Sequence, residues 1–152
     1  MKYIHPFYIG LPNSILLVAA FILSLFFSTL FTSALFSNLF LKILGILLIL
    51  SLFVLENISH KVHKQAHARE EKIDKIVELG IYRKIRHPIY LGWILLNIGA
   101  FLFIGNFLSL IISIIFIFFW YLEAKQEEKF LEKKFKNYQQ YKKKTGMFFP
   151  KL

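Results

Sequence analysis

Charge is absent or nearly so from three long runs of this chain and crowded into two others, and that segregation limits the available folds more than any other feature. No Asp, Glu, Lys or Arg occurs from Ser14 to Phe36 or from Pro88 to Leu122, and only Lys42 interrupts Leu39 to Leu55. Of the 19 Lys and Arg, all but Lys2 and Lys42 lie between Asn57 and His87 or from Lys125 onward. A chain of 152 residues that is 57% hydrophobic cannot cover such runs with a soluble surface. At ~1.5 Å per residue, Ser14–Phe36 spans roughly 35 Å as a helix, enough to cross a hydrocarbon core.

The expected fold is therefore all-α, a multi-pass integral membrane bundle of about four transmembrane helices with a cytoplasmic helical extension. The four spans are Ser14–Phe36, Leu39–Leu55, Pro88–Ile104 and a run from Phe107 to Leu122. Lys42 sits near the end of its span, where its amine can snorkel to the headgroups. Pro88 suits a first helical position, because the N–H it lacks would be unpaired there anyway. Gly105-Asn106 reads as a tight turn. Nothing breaks the last helix before Asn137, so it should leave the membrane and continue into water. The organisation expected is one domain, residues 1–152: two anchoring spans (1–56), a connector (57–87), two spans with the extension (88–137) and a tail (138–152). Two antiparallel hairpins are expected, the first anchoring and the second carrying chemistry.

With four spans, both termini and both lysine-rich segments fall on one side. The positive-inside rule makes that side cytoplasmic. Asn57-Ile58-Ser59 fits a glycosylation acceptor pattern but would then face the wrong compartment. The first apolar run is read as retained rather than cleaved, since no small-residue cleavage site follows a short apolar core. The absence of cysteine excludes disulfides, thiolate metal sites and cysteine nucleophiles.

Three segments hold the polar residues that could do chemistry. Gly80-Ile81-Tyr82-Arg83-Lys84-Ile85-Arg86-His87-Pro88-Ile89-Tyr90-Leu91-Gly92-Trp93 places Arg, His and Tyr at the mouth of a span. The unpaired N–H groups and partial positive charge of a helix start can receive a carboxylate. Glu127-Glu128 lie on the extension of the fourth span. There the i,i+4 pairs Glu123/Glu127, Lys125/Lys129, Glu128/Glu132 and Lys129/Lys133 are like-signed, and only Glu132/Lys136 is favourable. Each like pair costs a few tenths of a kcal/mol, so the carboxylates should answer to cations outside their helix, Arg86 or a cationic ligand. The tail mixes Tyr138, Tyr141, Phe148 and Phe149 with lysines, as suits a surface lid or a disordered basic end. The connector is read as partly helical and interfacial. His60, His63 and His67 within it have helical spacing but no clear further ligand, so no metal site is expected. No Gly-rich phosphate loop follows a strand, which excludes a Rossmann cofactor site.

In order and spacing, these segments resemble the isoprenylcysteine carboxyl methyltransferase family, within the wider group of membrane methyltransferases that includes phospholipid N-methyltransferases. The likeness runs from Asn57 to the C-terminus. GIYRKIRHPIYLGW is similar to the cofactor motif of that family, Ile98-Gly99 and Asn106 sit where the family has them, and EEKFLEKKFKNYQQYKKKTGMFFP is similar to its acidic pair, paired Tyr and closing Pro. Asn57-Ile58-Ser59-His60 is similar to an Asn-Phe-Asn-His segment of eukaryotic members. Ile81 stands where many relatives have Pro, and Lys136 replaces a common Gly.

The resemblance implies S-adenosylmethionine as cofactor, bound without a Rossmann fold. Tyr82, His87, Pro88, Tyr90 and Gly92 would contact or shape the cofactor pocket. Glu127 or Glu128 would hold the cofactor's ammonium or pair with Arg86. Arg86 and Glu128 are the expected catalytic residues, with Arg86 orienting either an acceptor carboxylate or the acidic pair. The implied partners are the bilayer and a lipidated small molecule or protein C-terminus, not nucleic acid. A prenylcysteine carboxylate, ionised at neutral pH, would need positioning and exclusion of water rather than a base. A phospholipid amine would need a base first, Glu128 or His87. Two other readings stand beside these. One is an NADPH-dependent sterol-type membrane reductase, which usually has Asn where this chain has Pro88. The other is a non-catalytic membrane scaffold with a lipid-binding basic face.

Overall fold

The computed structural model describes residues 6–26, 38–63 and 73–151, and every regular element among them is helical. They are α1 (Pro6–Phe26), α2 (Leu39–Val62), a 3-10 turn (Gly80–Arg83), α3 (Pro88–Ile104), α4 (Phe107–Lys134) and α5 (Tyr138–Lys144). Helices α1, α2 and α4 are each long and apolar enough to cross a membrane, and α3 is a shorter apolar helix. Their outward faces carry large exposed side chains such as Leu47, Phe53, Ile114 and Phe118, which only lipid solvates favourably. The chain is an integral membrane protein built as an all-α bundle.

Local signals fix the ends of α3. Pro88 opens it at the first position, and Gly105 closes it in the left-handed region at φ 70°, its N–H bonded to the Phe101 carbonyl at 2.8 Å. A residue with a Cβ is strained there, and glycine is not. Asn106 then caps α4 by accepting from the Ser109 N–H at 2.7 Å. Its amide also donates to the Ala20 carbonyl of α1 at 3.3 Å, fastening the turn to a third helix. Helix α2 begins similarly, with Asn38 accepting from the Phe40 N–H at 2.8 Å.

The α2–α3 contact is the most extensive in the bundle, followed by α3–α4 and α1–α4. Glycines bring α2 and α3 together: a Cβ on Gly99 would stand 2.5 Å from the Gly45 carbonyl oxygen, and one on Gly45 would stand 2.7 Å from that of Gly99. Such small-residue contacts drive helix association where lipid removes the hydrophobic incentive. The expected first hairpin is therefore corrected: α2 pairs mainly with α3, while α1 lies against α4 and, less extensively, α3.

Other boundaries also differ from expectation. The first helix includes Pro6–Asn13 ahead of the expected Ser14; residues 27–36 of the expected span lie outside the described ones. Helix α2 does not stop at Leu55 but carries Asn57–Val62 with it, so the connector begins as the polar end of a span. Helix α4 ends at Lys134 rather than near Asn137, with the Phe135 N–H bonded back to the Leu131 carbonyl. His67 lies outside the described residues.

Candidate active site

The polar residues meet at the end of the bundle where α3 begins and α4 runs past the membrane. The apolar run of α4 ends at Leu122, so Glu127 and Glu128 lie on its water-facing extension. Gly80 starts the approach at φ 57°, and the 3-10 turn brings Tyr82 inward. The chain then pairs with the tail through an isolated parallel bridge between Ile85 and Gly146. The Gly146 N–H donates to the Lys84 carbonyl at 3.1 Å, Arg86 N–H to Gly146 O at 2.9 Å, and His87 N–H to Met147 O at 3.1 Å. The tail is thus folded back as an ordered strap. The Tyr141 hydroxyl adds a bond of 2.7 Å to the Tyr82 carbonyl.

Arg86 is buried. Its Nε donates to Glu128 Oε1 at 2.7 Å, and one Nη donates to the Thr145 carbonyl and, at 3.2 Å, to the Lys142 carbonyl. The guanidinium therefore joins the start of α3, the extension of α4 and the C-terminus of α5, where unpaired carbonyls favour a cation. Lys142 reaches the other oxygen of Glu128 at 2.8 Å and Glu132 at 2.8 Å. The outside cations that the like-signed pattern of α4 called for are Arg86 and Lys142. Of the acidic pair that the sequence offered to Arg86, the structure bonds it to Glu128.

His87 lies between the two acids, with Nδ1 3.4 Å from Glu127 Oε2 and Nε2 3.4 Å from Glu128 Oε1. Burial pushes its pKa down, but the two carboxylates outweigh burial and raise it, so the ring tends to hold its proton. Burial likewise pushes the Glu128 carboxyl up, but His87, Lys142 and Arg86 together take it well below the usual range, to about 2. The His87 ring stacks on Tyr90 at 5.3 Å, Tyr90 meets Trp120 at 5.5 Å, and Trp120 stacks on Trp93 at 5.1 Å. These rings continue the site into the apolar core and lock α3 to α4.

A cavity opens beside this cluster. Among its walls are Tyr82, Arg86, His87, Pro88, Tyr90 and Glu127, together with His63, Lys75, Tyr138 and Tyr141. The structure thus brings most of the sequence-predicted residues to one cavity, with two exceptions. Glu128 does not line it and instead carries the ion pairs described above. Gly92 does not line it either: a Cβ there would stand 2.9 Å from Leu52 Cδ1, so Gly92 serves close packing of α3 on α2. Sequence reasoning missed Lys142 and Thr145, whose roles depend on where the tail lands, and gave His63 no part beyond a weak metal possibility. Tyr82 and His63 meet edge-on at 5.5 Å. Burial raises the Tyr82 hydroxyl to about 12, so it is a donor rather than a base at neutral pH.

The cavity thus lies at the polar end of an apolar bundle, beside a buried charge cluster, with Tyr138 and Tyr141 of the tail in its wall. Residues 34–138 match the phospholipid methyltransferase family, and since they make up more than half of the chain, it belongs to that family. It is a membrane methyltransferase. Comparison with curated proteins and with solved structures returns no match in either set.

Proposed function

We propose that the cavity beneath the start of α3 takes S-adenosylmethionine from the cytoplasm and that the chain passes its methyl group to a lipid-borne acceptor, most favourably the amine of a phospholipid headgroup. The observation that carries this reading is the pairing of Glu127 and His87 on the wall of a cavity at the polar end of the spans. The side chains suit such a donor. Glu127 offers a carboxylate to its ammonium, and Tyr82, Tyr90 and Tyr138 offer aromatic surface.

Both the family and the occupation of Arg86 favour an amine over a prenylcysteine carboxylate. Arg86 Nε and one Nη are taken by Glu128 and the tail carbonyls, which leaves only the other Nη for an acceptor carboxylate. The isoprenylcysteine reading is kept as second by one feature, Lys75 on the cavity wall, which could receive that carboxylate. The concentration of Lys and Arg at this end supports a cytoplasmic site. Transfer needs the two reactants in line and water excluded, and the strap Tyr138–Phe148 is placed to exclude it. The test is labelled methyl transfer by purified protein to phosphatidylethanolamine and to farnesylcysteine in parallel. Labelled phosphatidylethanolamine is expected; labelling of farnesylcysteine alone shifts the acceptor to the carboxylate, and labelling of neither overturns the reading.

A further inference from the structure

His63 closes α2 where the helix becomes polar, and it lines the same cavity as His87 and Glu127. Its position is set by the backbone. The His63 N–H donates to the Ser59 carbonyl at 2.8 Å, and Tyr82 fixes the ring by an edge contact. Yet Nε2 is buried and has no hydrogen-bond partner among the described residues. A buried imidazole nitrogen costs stability unless something bonds to it, and the neighbouring cavity is where a ligand could come within reach.

Resting on the amine-acceptor reading above, we propose that His63 Nε2 removes the proton from the acceptor's ammonium so that the neutral amine can attack the sulfonium methyl. The Nε2 lone pair takes the proton, an N–H bond breaks and its electron pair stays on the amine. That pair forms the new N–C bond as the S–C bond breaks, the electrons of the latter remaining on sulfur as a neutral thioether. The proton then leaves His63 to water. The other candidates are already committed. His87 is held between two carboxylates that favour its protonated form, and Glu128 is tied to Arg86 and Lys142. The groups that face His63 are His60 on α2, Lys75 before the 3-10 turn, Tyr82 on that turn and Glu127 on α4. Burial lowers the His63 pKa, Glu127 pushes back, and His60 and Lys75 add to the lowering, so the ring is favoured in its neutral form with a free lone pair.

The experiment uses the full chain in phosphatidylethanolamine vesicles. S-adenosylhomocysteine binding is followed by calorimetry, and methyl transfer is followed against pH. For His63→Gln, the expected result is wild-type affinity for S-adenosylhomocysteine, transfer slowed about 10²- to 10⁴-fold, and loss of the acid limb of the pH profile. Imidazole added to His63→Ala should restore transfer without changing that affinity, which a packing role would not produce. Wild-type transfer rates in His63→Gln overturn the inference, as does loss of donor binding in that variant, which would place the ring in the donor site. A wild-type protein that binds the donor but methylates only farnesylcysteine overturns the inference and leaves the donor reading intact. A wild-type protein that binds no donor sinks the reading on which both depend.

Discussion

The two ends of α3 are held by opposite means. At its C-terminal half, Gly99 lies against Gly45 so closely that backbone touches backbone, and no charge takes part. At its N-terminus, Arg86, His87, Glu127, Glu128 and Lys142 form a network of buried and half-buried charge, and the helix is tied to the tail as well as to α4. In lipid, shape alone can hold helices together. At the water end, the structure needs a defined cavity, and charge fixes which groups face it. The difference predicts that damage at one end changes fold stability alone, while damage at the other also removes ligand binding.

Removing Glu128 should have the largest effect. Glu128→Ala leaves Arg86 without its buried carboxylate and Lys142 with only Glu132, and breaking a buried pair costs about 3–5 kcal/mol. Thermal unfolding in detergent should show a large drop in midpoint, and calorimetry should show loss of S-adenosylhomocysteine binding in the protein that remains folded. Unchanged binding would break the comparison at its polar end.

The same carboxylate gives a pH signature. Its folded pKa is about 2, below the ~4.3 of an unfolded Glu. Its contribution is therefore complete above that unfolded value and is lost as pH falls toward 2. The unfolding midpoint of the wild type should decline across this window, and that of Glu128→Gln should decline less steeply. Parallel curves would show that Glu128 is not the group responsible.

At the other end of α3, Gly99→Ala puts a methyl group into the Gly45 carbonyl and should cost about 1–3 kcal/mol through overpacking. Donor affinity per folded molecule should stay at the wild-type value. A selective loss of donor binding would mean that the two ends are coupled. Tyr141→Phe, the mildest change, removes one hydrogen bond between strap and 3-10 turn. It should cost about 1 kcal/mol and weaken donor binding only a few-fold, measured by the same titration.

What could be read from sequence follows the same division. The limits of α3 were legible because proline at its start and Gly105-Asn106 at its end are local signals. The start of α1 was not, because hydropathy marks where a chain is apolar and not where its helix begins; Asn13, polar in sequence, is fully buried within that helix. The pairing of α2 with α3 depended on two glycines 54 positions apart (99 − 45) meeting face to face, which no single segment announces. At the site, the like-signed i,i+4 pairs of α4 were enough to send Glu128 looking for a distant cation. The parts played by Lys142, Thr145 and His63 were not visible, since each depends on where the strap and the end of α2 come to rest.

Calorimetric titration of the wild type and of Glu127→Gln with S-adenosylhomocysteine bears most directly on the joining of α3 and α4 around one binding cavity. Saturable binding at one site per chain, weakened at least about tenfold (~1.4 kcal/mol) when the Glu127 charge is removed, is the expected result. No binding to the wild type, or equal affinity in both proteins, would contradict it.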